Sequence, residues 1–211
     1  RQMCIRDRMG ACISYSKLEG YEEKPTIFFE FHGTETGAKE QAETVQAIAE
    51  EFGGSAFQWT SKMEDRNKLW QARHDAYYAA IALRSGCQGW ATDVCVPVSR
   101  LAECINETKD DLEETGLISP LVGHVGDGNF HMLYIVDPNN QEEMAKAQAH
   151  SDRMVMRALE MGGTCTGEHG VGYGKIHFLT NEHGDAMSLM RSLKTAFDPD
   201  NIMNPGKIVN M

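Results

Sequence analysis

The sequence has no hydrophobic run that approaches the roughly 20 residues needed to cross a bilayer, so no transmembrane segment is expected. It also has no excess of positive charge, since 20 Lys and Arg residues against 31 Asp and Glu residues give a formal net charge of −11. This balance argues against binding to nucleic acid or to an anionic membrane. The six cysteines form no Cys-x-x-Cys pair, and no disulfide framework is expected. Reduced thiols in an intracellular compartment are therefore favoured.

The chain does have the composition of a globular domain. Its 211 residues are 41% hydrophobic and 24% charged, which is enough for one domain, or one domain plus an appendage, with a sizeable core. The first ten residues, RQMCIRDRMG, fit nothing that follows and are expected to be non-native. The abrupt start after them suggests a fragment. We therefore expect one domain over residues 11–211.

Apolar residues at helical spacing predict helices, whereas alternating or continuous apolar runs predict strands. The predicted strands cover residues 26–31, 55–60, 90–97, 118–124 and 129–136. The predicted helices cover residues 38–52, 69–81, 100–114, 141–161 and 185–197. This order predicts an α+β fold. We expect an antiparallel sheet of the split βαβ (ferredoxin-like) type with helices on one face, plus a C-terminal helical segment and an extended tail.

The stretch LVGHVGDGNFH, residues 121–131, has the pattern of a β-hairpin because an Asp-Gly pair separates two apolar runs. If the four residues after His124 form the turn, His124 lies opposite Asn129, and His131 shares its face of the sheet. The two imidazoles are then diagonal neighbours, with Cβ atoms roughly 7–8 Å apart or less. From there both rings can reach one metal ion at about 2.0–2.1 Å. A slip of one residue would separate them.

A second stretch, GTCTGEHGVGYGK at residues 163–175, is rich in glycine, which lets a backbone approach a ligand closely. Glu168 in this loop is a candidate third ligand, and two histidines with one carboxylate leave open positions, as in catalytic metal sites. His169, beside it, is then available as a proton acceptor. The alternative is that the histidines are ordinary half-buried polar residues and that the glycines only shape turns.

Two other features of this loop point away from chemistry. Cys165 has no evident base partner and is expected to pack in the core. The run that ends at Lys175 does not have the glycine spacing of a phosphate-binding loop, and Ile176 stands where such a loop needs Ser or Thr. We therefore expect no self-contained nucleotide site.

Two charged residues lie in otherwise apolar segments, and each of them has two possible roles. Arg73 falls on the apolar stripe of a predicted helix. Its head group either reaches water along the helix surface or points into a pocket to bind a carboxylate. Asp93 lies within a predicted strand, where it is either a solvated edge residue or a structural hydrogen-bond acceptor.

Five stretches in this order resemble the C-terminal half of the FAD-linked D-2-hydroxyacid dehydrogenases, and within that family the cytochrome-type D-lactate dehydrogenases, which are mitochondrial in animals. The stretches are LWQARHDAYYAA, ATDVCVP, GHVGDGNFH, GTCTGEHGVGYGK and FDPDNIMNPGK. The resemblance covers nearly everything from about residue 26 onward. It implies that the family's FAD-binding domain lies N-terminal to this region and is missing here, so that this chain is the substrate and metal half and is inactive alone.

The resemblance also assigns roles to individual residues. It implies that His124, His131 and Glu168 bind Zn²⁺ or Mn²⁺. It makes His169 the general base, in contact with the substrate. Arg73 becomes the clamp on the substrate carboxylate. A metal-bound hydroxyl, a nearby imidazole and a bidentate guanidinium suit the oxidation of a 2-hydroxy acid.

The C-terminal tail and two pocket positions complete the implied site. The resemblance implies that Asn204, Gly206 and Lys207 fold back toward the flavin. Relatives that act on 2-hydroxyglutarate carry Lys and Asn at the places of Ala91 and Leu133. Without those polar contacts nothing evident holds a second carboxylate. A D-2-hydroxy monocarboxylate is therefore favoured, with D-lactate oxidised to pyruvate by hydride transfer to FAD.

The resemblance further implies an electron acceptor such as cytochrome c or a quinone-linked carrier. It implies a mitochondrial location in a eukaryote, and a cytoplasmic location or one peripheral to the inner membrane in a bacterium. D-2-hydroxyglutarate or glycolate dehydrogenases of the same family are the nearest alternatives. A zinc hydrolase that uses the same three ligands is an alternative of another class. A non-catalytic domain, in which the histidines only pack, is the third.

Overall fold

The computed structural model describes residues 2–5, 9–17 and 21–210. Its strands are β1 (Gln2–Ile5), β2 (Thr26–Phe29), β3 (Gln88–Ala91), β4 (Val94–Cys95), β5 (Leu121–His124) and β6 (Asn129–Val136). Its helices are α1 (Met9–Ser16), α2 (Glu35–Glu51), α3 (Met63–Ile81), α4 (Val98–Thr115), α5 (Gln141–Glu160), α6 (Ile176–His183) and α7 (Ala186–Phe197). In this part of the chain no helix is long and apolar enough to cross a membrane.

The strands form one antiparallel sheet in the order β2-β1-β5-β6-β3, and β4 pairs with β6 as well. The predicted α+β class with an antiparallel sheet is confirmed. The central pair is the predicted hairpin of β5 and β6, in which His124 lies opposite Asn129 and Val122 lies opposite His131. A short 3₁₀ turn, Val125–Asp127, joins the two strands.

Strand β6 is the centre of the fold, because every one of its residues is buried. Phe130, Met132 and Tyr134 belong to the main core, which α4 and α5 cover. Leu133 and Ile135 point to the opposite side and pack with α3. Helices therefore cover both faces of β6, and the expectation of helices on one face only is wrong. The continuous apolar run of β6 is the reason, since a strand without a polar face needs cover on both sides.

Three other differences from the sequence analysis concern single segments. Residues 55–60 form no strand: Ala56 has φ of 56°, and β2 at the sheet edge pairs only with β1 among the described residues. Helices α1 and α6 were not predicted, and each is only eight residues long, too short to show much periodicity. Residues 2–5 form β1, between β2 and β5. That the first ten residues are non-native stays a prediction, and residues 1 and 6–8 lie outside the described part.

Candidate active site

The hairpin brings the two predicted imidazoles together. With the observed register, His124 and His131 are diagonal neighbours on one face of the sheet, and their ring centroids lie 6.4 Å apart. The turn depends on Gly128, which has φ of 77°. A Cβ atom at Gly128 would lie 2.0 Å from the Val96 carbonyl oxygen, so only glycine fits. The predicted register is confirmed.

The glycine-rich loop places Glu168 and His169 against this pair. The Glu168 Oε1 atom lies 3.2 Å from His131 Nε2 and 3.8 Å from His124 Nε2. The His169 ring stacks on the His131 ring with centroids 4.8 Å apart and an interplanar angle of 10°. Close approach of the loop requires Gly167, since a Cβ atom there would lie 2.0 Å from the side-chain nitrogen of Asn129. The loop therefore brings one carboxylate and one more imidazole to the hairpin.

A backbone hydrogen bond sets the orientation of His131. Its Nδ1–H donates to the Thr92 carbonyl oxygen over 2.8 Å, which leaves Nε2 to face Glu168. Burial lowers the pKa of His131, and the bond to Thr92 offsets this only in part. The neutral ring with one nitrogen held by a carbonyl is the form in which histidine binds metals.

Asp93, which the sequence left between two interpretations, is a structural hydrogen-bond acceptor. Its side chain is 1% exposed and accepts hydrogen bonds from Thr166, Asn129 and the backbone of the glycine-rich loop. Burial raises the pKa of Asp93, but these hydrogen bonds outweigh burial and hold the pKa below its ordinary value. The carboxylate is therefore charged at neutral pH.

Two sets of side chains near the pocket could hold a cation. Asp93, His131 and His169 each offer an atom within 4.8 Å of the others. In that set the Asp93 oxygens already accept four hydrogen bonds, and His131 Nδ1 is bound to a carbonyl. The other set is the predicted one of His124, His131 and Glu168. In the described part of the chain, the Nε2 atoms of the two histidines and the Glu168 carboxylate face one another and make no hydrogen bond to other groups. Binding of a divalent cation by His124, His131 and Glu168 stays a prediction.

His124, His131, Glu168 and His169 line a cavity of about 280 Å³, and Arg73 of α3 lines the same cavity. The Arg73 Nε atom is buried and has no hydrogen-bond partner among the residues that the structure describes. Its guanidinium carbon lies 6.0 Å from the ring centroid of Trp70. The head group therefore faces a pocket, which is the second of the two alternatives for this residue.

Most of the other side chains in the cavity wall are apolar, and several of them are small. It is lined by Ala76, Ala80, Ala91, Val122 and Leu133 among others. Both positions where relatives acting on 2-hydroxyglutarate are expected to carry polar residues are therefore in the wall, and both are apolar here. The cavity lining thus combines charged and imidazole groups with small apolar side chains.

The predicted flavin-contacting tail lies elsewhere, since Asn204, Gly206 and Lys207 do not line this cavity. The tail packs on the outer part of the glycine-rich loop instead. The Tyr173 hydroxyl donates to the Pro205 carbonyl oxygen over 3.2 Å, and Lys207 Nζ lies 5.5 Å from the Tyr173 ring centroid. A role of the tail toward FAD stays a prediction.

The sequence analysis missed some residues of the site. Lys175 Nζ donates to the Asp93 carbonyl oxygen over 2.6 Å, and His74 and Cys12 line the cavity. The only signal for Lys175 was its place at the end of the glycine-rich loop. The expectation for Cys165 is confirmed, because it lies in the core, where burial raises its pKa to about 12. Such a thiol is not a nucleophile at neutral pH.

Comparison with curated proteins adds independent support. The chain is 48% identical over 204 residues to a probable mitochondrial D-lactate dehydrogenase of Danio rerio, covering 96% of this chain and 41% of the relative. It is 44% identical over 198 residues to the mitochondrial D-lactate dehydrogenase (cytochrome) of Arabidopsis thaliana, covering 93% and 35%. It is 31% identical over 186 residues to glycolate oxidase subunit GlcD of Bacillus subtilis, covering 88% and 39%. The chain thus spans about two fifths of the length of these relatives.

A solved structure has the same fold. It is the isoeugenol complex of 4-ethylphenol oxidase from Gulosibacter chungangensis, with a TM-score of 0.70 and 12% sequence identity over 99% of this chain and 47% of that chain. At this identity the likeness concerns the fold alone. The family model described as FAD linked oxidases, C-terminal domain, matches residues 5–208. The resemblance drawn from the five motifs is confirmed: the chain belongs to the family of the C-terminal domain of FAD linked oxidases.

Proposed function

We propose that this chain is the substrate-binding half of an FAD-linked D-2-hydroxyacid dehydrogenase that oxidises D-lactate to pyruvate. The proposal draws on the family, on the names of two D-lactate dehydrogenase relatives and on a cavity whose lining combines charged groups with apolar side chains. A 2-hydroxy acid has the matching parts, which are a carboxylate, a hydroxyl group and a short carbon chain.

One observation carries the proposal. Arg73 lines the same cavity as His124, His131, Glu168 and His169, and within the described part of the chain its buried Nε atom has no hydrogen-bond partner. An unpaired buried donor costs about 1–3 kcal/mol, and a substrate carboxylate would remove that cost with two parallel hydrogen bonds. We therefore assign Arg73 to the substrate carboxylate, with the hydroxyl carbon toward the imidazoles.

The metal part of the proposal rests on the donors that face one another. We assign the Nε2 atoms of His124 and His131 and the carboxylate of Glu168 to a divalent cation, Zn²⁺ or Mn²⁺. Such a cation would polarise the substrate hydroxyl and make its proton easier to remove. The hydrogen bond from His131 to Thr92 holds the ligating ring in place before any ligand arrives.

Removal of the hydroxyl proton is assigned to His169. Its ring is exposed to the cavity and stacks on His131, so it lies next to the proposed hydroxyl position. An imidazole is suited to accept a proton near neutral pH. FAD, when bound, would take the hydride from the α-carbon, and we propose that the exposed Asn204 with Gly206 and Lys207 contact it. Arg73 fixes the carboxylate so that the α-hydrogen points away from the imidazoles.

The apolar wall favours a monocarboxylate. The side chains of Ala91 and Leu133, which line the cavity, offer no charge or hydrogen bond to a second carboxylate. An unpaired charge there would be poorly solvated. Glycolate is a second candidate substrate, because GlcD of Bacillus subtilis is among the relatives. We also propose, from the printed names, a mitochondrial location in a eukaryote and a cytochrome as electron acceptor, with a quinone-linked carrier as the alternative.

The test uses the full-length protein that contains this domain. Turnover is measured with an artificial electron acceptor, and bleaching of the flavin absorbance is followed on addition of each 2-hydroxy acid. We expect kcat/KM for D-lactate to exceed that for D-2-hydroxyglutarate by at least about tenfold, since one unpaired polar group costs more than 1.4 kcal/mol. The reverse ratio would refute the substrate assignment. A protein without flavin absorbance would favour the hydrolase alternative.

The role of Arg73 is tested in the same assay. Lysine cannot form the bidentate contact, so Arg73→Lys is expected to raise KM for D-lactate about tenfold or more and to affect kcat less. Arg153→Lys is the matched control, because Arg153 also forms a bidentate contact, with Asp111, on the far side of the sheet. Equal KM values for the two variants would contradict the carboxylate assignment.

A further inference from the structure

We propose that Asp93 is the positioning residue of the site, because its carboxylate holds the turn over residues 166–169 so that Glu168 and His169 face the cavity. The inference rests on the proposed function for the roles of those two residues. The geometry itself does not depend on those roles. The Asp93 side chain is 1% exposed, and the residue lies between strands β3 and β4.

One oxygen of Asp93 organises the turn. Its Oδ2 atom accepts hydrogen bonds from the Thr166 hydroxyl over 2.8 Å, from the Glu168 N–H over 3.0 Å and from the His169 N–H over 2.9 Å. Two consecutive backbone N–H groups therefore point at one buried anion. Because these groups belong to the same peptides that carry the Glu168 and His169 side chains, the anion fixes where both side chains begin.

The other contacts of Asp93 tie this turn to the hairpin and to the end of the loop. Its Oδ1 atom accepts a hydrogen bond from the Asn129 side-chain nitrogen over 2.7 Å, and Asn129 is the residue opposite His124. Lys175 Nζ donates to the Asp93 carbonyl oxygen and lies 3.7 Å from Oδ2. One carboxylate thus joins the hairpin, which carries two imidazoles, to the loop, which carries Glu168.

These contacts argue against Asp93 as a ligand. Three of the four hydrogen bonds to Asp93 converge on Oδ2, which saturates that oxygen, and the fourth ends on Oδ1. A cation bound through Oδ2 would compete with the Thr166 hydroxyl and the two backbone N–H groups that hold the turn. Asp93 therefore acts through Glu168 and His169, and it touches neither the substrate nor the reacting atoms.

The test variant is Asp93→Asn in the full-length protein. An amide has one carbonyl oxygen and two N–H groups, so it cannot accept all four hydrogen bonds. We expect affinity for Zn²⁺, titrated into metal-free protein, to fall about 10–100-fold, as when groups that orient metal ligands are lost. At saturating Zn²⁺ we expect kcat for D-lactate to remain reduced by a similar factor. KM is expected to change little, because Arg73 is not held by Asp93.

Asp111→Asn is the matched control. Asp111 also accepts several hydrogen bonds, from Arg153 and Arg157, but it lies on α4 away from the cavity. Each variant is assayed at the same interval below its own unfolding temperature, so that a loss of stability is not counted as a loss of function. Equal Zn²⁺ affinity and equal kcat for the two aspartate variants would overturn the inference.

Two further variants separate the remaining outcomes. Glu168→Gln is expected to weaken Zn²⁺ binding more than Asp93→Asn, and the opposite order would make Asp93 the ligand and overturn the inference. If Asp93→Asn does not fold, Thr166→Val removes one of the three bonds to Oδ2 and is expected to produce a smaller loss in the same direction. No loss would overturn the inference. A wild-type protein that binds Zn²⁺ but oxidises no 2-hydroxy acid would refute the proposed function, whereas the Zn²⁺ titrations would still test Asp93.

Discussion

Two buried histidines lie on opposite sides of the sheet and differ in one respect. His131 on β6 is 7% exposed, and His150 on α5 is fully buried. Burial lowers the pKa of both. Each ring donates one N–H to a backbone carbonyl oxygen, that of Thr92 for His131 and that of Thr108 for His150. By burial, pKa and backbone contact the two residues are alike.

The second ring nitrogen distinguishes them. His150 Nδ1 accepts a hydrogen bond from the Tyr134 hydroxyl over 2.5 Å, so both of its nitrogens are used inside the core. His131 Nε2 faces Glu168 and the cavity. A buried histidine with both nitrogens committed holds the fold together, whereas one with a nitrogen directed at a cavity can bind a ligand. A lowered pKa alone does not separate the two cases.

The largest expected effect comes from removing the histidine that faces the cavity. His131→Ala is expected to abolish stoichiometric metal binding in the full-length protein and to lower kcat/KM for D-lactate by about 10³-fold or more, because a metal ligand is lost. His150→Gln is the matched variant on the other side of the sheet, and it is expected to retain metal and kcat. Metal analysis with steady-state kinetics decides between them. Full metal content in His131→Ala would mean that the two histidines do not differ in function.

The second-largest expected effect is on stability, and here the variant of His150 is expected to lose more than the variant of His131. His150→Ala leaves the Tyr134 hydroxyl and the Thr108 carbonyl oxygen without their partner and opens a cavity, which together cost about 2–4 kcal/mol in the free energy of unfolding. His131→Ala is expected to cost less, since water in the adjacent cavity can solvate the exposed groups. Urea unfolding of both variants without metal measures the difference. A greater loss of unfolding free energy in His131→Ala than in His150→Ala would contradict the proposed difference between the two histidines.

The smallest expected effect concerns pH. Burial lowers the pKa of His150, so the folded state stays neutral at pH values where the unfolded chain, with a pKa of about 6.5, takes up a proton. The unfolded state then binds more protons, and the free energy of unfolding falls as the pH drops below about 6.5, by at most about 1.36 kcal/mol per pH unit. His150→Gln removes this contribution. Urea unfolding at pH 7.5 and at pH 5.5 is expected to show a smaller decrease for the variant than for the wild type, and equal decreases would exclude a buried neutral His150.

Much of the site could be read from short segments. The Asp-Gly turn and the alternation of strand residues predict that His124 and His131 share a face, and the structure has that register. Glycine density at residues 163–175 correctly indicated a loop that approaches other groups closely, as Gly167 does. Most helices and strands were predicted because their apolar periodicity is long and regular. Residues 55–60 show the limit, since a strand also needs a neighbouring partner, and none of the described strands pairs with this segment.

Contacts between distant segments were decided by the tertiary structure alone. Nothing local in the chain tells His150 from His131, or shows that Asp93 would accept hydrogen bonds from a loop about 75 residues away. The pocket around Arg73 exists only because α3 packs on the second face of β6. Strand register follows from hydrogen bonds between neighbouring residues, so a short sequence can specify it. Which polar atoms remain without a partner depends on how all the apolar surfaces pack together, and that balance is a property of the whole fold.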